Sequence, residues 1–239
     1  LLSNESRLIM HEPKVVSDCQ DLIYTRLDLP QLPHVDQGAL TKWMVDKNRA
    51  VMVEQALHAN NTNSNLYPWR AVVACRNNCW DTSFAEAFPE LVSYTRLFPT
   101  TYWRQVSVLA QLPDKEVFLH TDPDVGLGWR IYLSHGGPKL YFQKFKQRHE
   151  VRPQTWAGGG PTAMKDLCAA ERIYVDDEGC YPWALTATRA AHGVSVCHQA
   201  VGARVTMLLF PDPKCVDESA HQALLKRSSE KYADTAIWY

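Results

Sequence analysis

The sequence is short of what marks a membrane or secreted protein. Its apolar runs, such as Val205-Thr206-Met207-Leu208-Leu209-Phe210, fall far below the roughly 18 residues that a spanning helix needs. No basic segment followed by an apolar one opens the chain, so a soluble, cytoplasmic protein with no visible targeting signal is expected. The chain begins with Leu1 and not Met, which leaves room for a removed leader. Net charge is also missing: 25 Lys and Arg stand against 26 Asp and Glu, for a balance of -1. No general field therefore draws the molecule toward nucleic acid or an anionic membrane, and only a local basic groove would serve that purpose. The seven cysteines (Cys19, Cys75, Cys79, Cys168, Cys180, Cys197, Cys215) are scattered and odd in number, in a chain large enough not to need disulfide staples. Reduced thiols are expected. The sequence has no internal repeat and no low-complexity tract.

What is present is an ordinary globular composition. With 46% hydrophobic and 21% charged residues, the chain has the apolar material for a substantial core, which excludes disordered, collagen-like and coiled-coil forms. Against roughly 150 residues for an average domain, 239 residues predict one domain with appendages.

The texture changes twice along the chain. In the first zone, residues 1–100, the stretch 35–59 carries Leu40, Trp43, Met44, Val51, Met52 and Leu57 at a mostly helical spacing, with Asp36 as its cap. A second helix is expected over 82–94, with Pro89 as an internal objection. These helices read as a buttress. From 101 the reading switches to strands: β-branched and aromatic runs at 103–112, 117–121, 129–133 and 140–145 are separated by Pro, Asp and Gly, as in an antiparallel sandwich or barrel. Residues 146–179, with Gly158-Gly159-Gly160-Pro161, read as a long insertion holding one short helix near 162–170, of the kind that often forms a lid. Strand character returns over 181–210, and a closing helix is expected over 218–232 in the tail 211–239.

The chemistry is concentrated in three pieces. In Val117-Phe118-Leu119-His120-Thr121-Asp122, an extended strand brings residues two apart to one face, so His120 and Asp122 converge. Far downstream, His192 follows the strand candidate at 183–188 and precedes Gly193, which permits a turn; it is placed to supply a third ligand. Two histidines and a carboxylate on one face of an octahedral ion leave three positions open, the usual arrangement in non-haem Fe(II) oxygenases. The third piece is Gly202-Ala203-Arg204-Val205-Thr206-Met207-Leu208-Leu209-Phe210, where alternation puts Arg204 and Thr206 on one face of an otherwise buried strand. The planar fork of Arg donates two parallel hydrogen bonds to a carboxylate, and Thr206 adds a hydroxyl beside it. A dicarboxylate such as 2-oxoglutarate, chelating the metal at one end, would be clamped there at the other.

On these residues the sequence resembles the Fe(II)- and 2-oxoglutarate-dependent dioxygenases, whose pattern is His-x-Asp, a distal His, and Arg-x-Ser or Arg-x-Thr beyond it. All appear in order as His120-Thr121-Asp122, His192 and Arg204-Val205-Thr206. The stretch from Arg130-Ile131-Tyr132-Leu133-Ser134 through Gly136-Gly137 to Leu140-Tyr141-Phe142 is similar to the family's segment after its first two ligands, with Ser134 where that strand normally continues into Asn. The likeness spans residues 101–210 and points to a prolyl-hydroxylase-like or aspartyl/asparaginyl-hydroxylase-like branch. It implies a mainly β fold with flanking helices: a double-stranded β-helix, or jelly roll, with an N-terminal helical buttress and a C-terminal helix. It implies Fe(II) on His120, Asp122 and His192, and 2-oxoglutarate on Arg204 and Thr206 with help from Tyr132. It further implies dioxygen as co-substrate, release of succinate and CO2, and most naturally C–H hydroxylation. Asp122 fills the place a halide would take, which disfavours halogenation. Arg130, on the same strand face as Tyr132, is a further candidate for the co-substrate or a substrate carboxylate.

Other readings compete. His198 rivals His192 as distal ligand, but it stands close before Arg204, where a hairpin would leave it on a loop. Cys75-x-x-x-Cys79 lacks a partnering pair, so ordinary thiols are expected over zinc. Trp103, Trp129, Trp156 and Trp183 either line a pocket or fill the core, and aromatics mostly do the latter. A cupin-like metal-binding protein or isomerase would use the same ligands without 2-oxoglutarate, and a silent jelly-roll interaction module would need no metal. An amino-acid, peptidyl or other compact substrate is expected, with a nucleobase or nucleic acid as the alternative.

Overall fold

The computed structural model describes residues 19–57, 69–111, 116–120, 128–134, 139–146, 172–175, 179–185, 190–196 and 203–239. Among these, twelve strands form two antiparallel sheets. The strands are β1 (Leu22–Arg26), β2 (Trp69–Arg76), β3 (Cys79–Trp80), β4 (Trp103–Gln111), β5 (Val117–His120), β6 (Gly128–Tyr132), β7 (Leu140–Lys144), β8 (Ile173–Tyr174), β9 (Tyr181–Leu185), β10 (Ala190–Val194), β11 (Arg204–Pro211) and β12 (Ile237–Trp238). The larger sheet runs β12-β1-β9-β6-β11-β4-β2-β3 and the smaller β5-β10-β7-β8. Between β4 and β11 the chain therefore passes repeatedly from one sheet to the other.

Period-two alternation separates two cores. On β11, Val205, Met207 and Leu209 point to the same cluster as Val106 and Val108 of β4 and Trp129 and Ile131 of β6. Helices cover that face: α1 (Gln37–Leu57) through Leu40, Trp43 and Met44; α2 (Thr82–Ala87) and α3 (Pro89–Tyr94) through Phe84, Leu91 and Tyr94; and α4 (Glu218–Lys231) through Leu224 and Leu225. The opposite face looks into the space between the sheets, where Tyr24, Tyr132, Tyr181 and Trp183 of the larger sheet meet Val117, Leu140, Phe142 and Val194 of the smaller. Sheets packed this way lie about 10 Å apart, so this inner space has the thickness of one layer of side chains.

Several helix boundaries follow from local chemistry. Asp36 caps α1, its Oδ1 accepting from the amides of Gly38 at 2.8 Å and Ala39 at 3.1 Å. The expected helix over 82–94 is two short helices broken at Phe88, with Pro89 at the start of the second, because a proline at the first helical position costs no hydrogen bond whereas one inside a helix does. Asp81 caps the first of them and pairs with Lys47 of α1 at 2.6 Å. Asp217 caps the expected closing helix, α4.

Two expectations need correction. The N-terminal zone is not only helical: β1, β2 and β3 extend the larger sheet on both sides. The insertion yields an edge strand, β8, pairing Tyr141 with Tyr174; the helix expected near 162–170, the glycine tract and Trp156 lie outside the described residues. Trp103, Trp129 and Trp183 are all core residues. Cys75 is buried and Cys79 exposed, and their hairpin register, Cys75 opposite Trp80 and Arg76 opposite Cys79, sets them on opposite faces. Burial, then the neighbouring Cys79, pushes the Cys75 thiol up to about 11, as befits an inert buried thiol. No helix among the described residues is long and apolar enough to cross a membrane.

Candidate functional site

The inner face of the larger sheet carries one half of the site. Thr206 on β11 lies directly opposite Tyr132 on β6, and Arg204 shares their face. The Arg204 guanidinium carbon sits 4.3 Å from the centre of the Tyr132 ring, a cation–π contact worth about 2 kcal/mol in a desolvated setting. Arg204, Thr206 and Tyr132 are 3%, 5% and 0% exposed, so the group is inside the molecule. Ser134 has a definite task here: its Oγ accepts from the Val205 amide at 3.0 Å while the Leu133 amide donates to the Val205 carbonyl at 2.9 Å. These bonds carry the β6–β11 pairing beyond its last ladder pair and fix the start of the strand that bears Arg204. Gln37, at the start of α1, donates its side-chain amide to the Leu133 carbonyl, tying the helical layer to the same point.

The smaller sheet carries the other half. His192 lies inside β10, directly opposite His120 at the end of β5 and, on its other side, opposite Phe142 of β7. Two residues far apart in sequence are thereby set as direct cross-strand neighbours in backbone register. His192 is 7% exposed, with its ring 6.3 Å from that of Phe142. Its ladder neighbours Ala190, Phe142 and Val194 all belong to the inner core. A register shift between His192 and Val194 lets both Val117 and His120 pair with β10 although they are three residues apart. Such a bulge adds local twist and re-aims the strand.

A contact path joins the halves. The Phe142 ring lies 5.5 Å from that of Tyr24, whose hydroxyl donates to the Tyr181 hydroxyl at 3.2 Å; Tyr181 is 6.0 Å from Tyr132 ring to ring and opposite it in register. Arg26, half-buried, lies over Tyr181 at 4.0 Å.

Not every expected site residue joins this group. Arg130 shares the face of Tyr132, but it pairs with Leu208, one step further along β11 and away from Arg204. Its guanidinium lies 5.0 Å from the Phe210 ring and donates to the Trp129 carbonyl at 2.9 Å. At roughly 3.4 Å per residue, Phe210 is some 20 Å along the strand from Arg204, so the structure does not bring Arg130 to the Arg204 group. Asp122 and the rival His198 lie outside the described residues. Gly193 needs a second correction: it makes no turn but sits within β10, where a Cβ would stand 2.5 Å from the Tyr141 hydroxyl and 2.8 Å from the Val117 carbonyl oxygen. Sequence reasoning missed Tyr141 and Phe142 as neighbours of the histidine strand; their signal was the alternation within β7, which turns Phe142 inward and Tyr141 outward.

No group of three or more metal-ligating side chains occurs among the described residues, which exclude Asp122. An open groove of about 520 Å³ lies on the helical side between α3 and Gln31 and Pro33, away from both halves of the site.

No protein-family model matches the chain, and no curated protein matches its sequence. Solved structures similar to it include a prolyl-4-hydroxylase from Pseudomonas putida (TM-score 0.41, 11% identity, covering 83% of this chain and 97% of that one). An oxidoreductase of the 2OG-Fe(II) oxygenase family from Burkholderia pseudomallei aligns with TM-score 0.36 and 15% identity over 68% of this chain and 75% of its own. A prolyl hydroxylase from Trichoplax adhaerens, in complex with a hypoxia inducible factor oxygen degradation domain peptide fragment, aligns with TM-score 0.41 and 12% identity over 75% and 81%. Likenesses this remote are no argument for a shared substrate or mechanism.

Proposed function

We propose that the chain is an Fe(II)- and 2-oxoglutarate-dependent oxygenase on a double-stranded β-helix, hydroxylating a C–H bond of an amino-acid, peptidyl or similarly compact substrate. The observation that carries this reading is the pairing of His120 with His192 on the sheet that faces Arg204, Thr206 and Tyr132. The strand order supports that fold: β9-β6-β11-β4 in one sheet and β5-β10-β7-β8 in the other follow the alternation expected of a jelly roll.

The donor set fits the group. Imidazole nitrogens with one carboxylate suit Fe(II) and leave an open coordination face, so His120, His192 and Asp122 would hold the ion. Bound together, Fe(II), 2-oxoglutarate and dioxygen supply the oxidising power for hydroxylation, with succinate and CO2 released. The protein's part is placement. Arg204 offers a planar fork to the distal carboxylate, the Tyr132 ring beneath it restrains the guanidinium plane, and Thr206 adds a hydroxyl at the same level. Tyr24, Tyr181, Trp183 and Phe142 surround the inner space with aromatic surface, which excludes water from a reactive centre. Arg130 has no role in this assignment.

The test is anaerobic addition of Fe(II) and 2-oxoglutarate to metal-free protein, followed by admission of oxygen. The expected result is a weak visible charge-transfer band and then succinate. Metal binding without the band would favour a cupin-like protein, and absence of metal binding would contradict the proposal.

A further inference from the structure

On the side of the smaller sheet turned away from the inner space, one side chain of β7 reaches across β10 toward β5. Tyr141 on β7 is the register partner of Gly193 on β10. A strand side chain ordinarily stands roughly perpendicular to its sheet. Tyr141 instead lies over its neighbour strand, close enough that a Cβ at 193 would meet its hydroxyl at 2.5 Å and its Cζ at 2.6 Å. Beyond Gly193 the hydroxyl donates to Glu116 Oε1 at 3.0 Å, and Glu116 immediately precedes β5. Arg172, just before β8, closes the arrangement from outside: its guanidinium lies 4.3 Å from the centre of the Tyr141 ring and donates to the same Glu116 oxygen at 3.1 Å. Tyr174 packs beside it, ring to ring at 5.7 Å.

The phenol is thus a strap from β7 over β10 to the root of β5. β5 is the edge strand of its sheet and carries His120; β10 carries His192; the register shift between them falls at His192 and Val194, on either side of the residue the strap crosses. An edge strand is paired on one side only, and here the bulge interrupts that single ladder. Burial first, then the bond to Glu116, pushes the Tyr141 phenol up to about 12, so it stays a donor at neutral pH. A phenyl ring would fill the same volume; the hydroxyl adds the tie to Glu116, and Gly193 is the residue that gives it passage.

We propose that Tyr141 is a positioning residue for the histidine pair: its bond to Glu116, drawn across Gly193, sets the separation of β5 and β10 and hence the bite of positions 120 and 192 on a metal ion. This rests on the metal reading given above. Arg172 holds Glu116 in place and so joins the end of the segment preceding β8 to the same point.

The experiment uses Co(II) as a spectroscopic probe, titrated into metal-free wild-type protein and into Tyr141→Phe, Glu116→Ala and Glu116→Gln, with the thermal midpoint of each metal-free protein measured alongside. Tyr141→Phe and Glu116→Ala are expected to bind Co(II) about tenfold or more weakly, with visible d–d bands changed in energy and intensity. Glu116→Gln keeps an acceptor oxygen and is expected to bind nearly as wild type. Wild-type affinity and bands in Tyr141→Phe and Glu116→Ala would overturn the proposal. So would affinity lost only in step with the thermal midpoint while the bands stay unchanged, since that is plain destabilisation. If Tyr141→Phe does not fold, the contrast between Glu116→Ala and Glu116→Gln decides alone. Failure of the wild type itself to bind Co(II) would strike at the metal reading, a different result from equal binding by wild type and variants.

Discussion

The two halves of the candidate site are held by sheets of different build. Arg204 and Thr206 sit on β11, an interior strand paired with β4 in unbroken register from Arg204 to Phe210 and with β6 from Thr206 to Leu209, with the second pairing extended by Ser134. His120 and His192 sit where the four-residue edge strand β5 meets β10 across a register shift, at a glycine wedged under a tyrosine. A strand paired on both sides is held by two ladders; an edge strand has one, and a bulge interrupts it locally. On the proposed reading, the half that would hold the carboxylate is fixed by backbone pairing, and the half that would hold the metal leans on a few side chains behind it.

The largest expected effect falls on the half that would hold the carboxylate. Arg204→Ala should weaken 2-oxoglutarate binding by about 2–5 kcal/mol, the usual cost of truncating one partner of a buried charge pair, with metal affinity unaltered. Parallel titrations of metal and co-substrate check this, and an equal loss in both would erase the distinction between the halves. Next, Gly193→Ala should destabilise the fold by about 1–3 kcal/mol, because a Cβ 2.8 Å from the Val117 carbonyl oxygen meets backbone that cannot swing aside. Denaturant unfolding measures that loss, and metal affinity should fall with it. An unaffected Gly193→Ala protein would remove the case for a wedged β10.

The smallest effect probes the far side of the larger sheet, where buried His221 of α4 packs edge-on to Trp129 at 5.3 Å. Burial lowers its pKa, partly offset by Glu218. The folded state thus takes up a proton less readily than the unfolded chain, and stability is lost as pH falls from the ordinary histidine value of 6.5 toward the lowered one. One such group contributes at most about 1.4 kcal/mol per pH unit. His221→Gln should flatten the dependence of unfolding free energy on pH in that window and leave the inner space untouched.

Much of the strand geometry around Arg204 was legible in the sequence. Arg204-Val205-Thr206 within an apolar run reads as a strand with two polar groups on one face, and Tyr132 follows from the same alternation. The corrected points share a cause. Arg130 was placed on the right face, but its guanidinium lies toward Phe210 and the Trp129 carbonyl, a direction that spacing does not encode. A glycine after a histidine reads as a turn as readily as a close approach, and Tyr141, which decides between them, lies on another strand. Glu116, Tyr141 and Arg172 meet across 25 and 56 residues of chain with no motif to announce them. The short strands β1 and β3 carry too few residues for alternation to stand out.

His120 and His192, paired across β5 and β10, are proposed to bind one metal ion. The most direct measurement is nitrogen NMR of protein labelled with 15N-imidazole histidine, taken before and after one equivalent of diamagnetic Zn(II) in place of Fe(II). Of the nine histidines, the ring nitrogens of His120 and His192 are expected to move together to the range of metal-bound imidazole, with each assigned from its His→Gln variant. Zn(II) shifting other histidines while these two stay in place would contradict it.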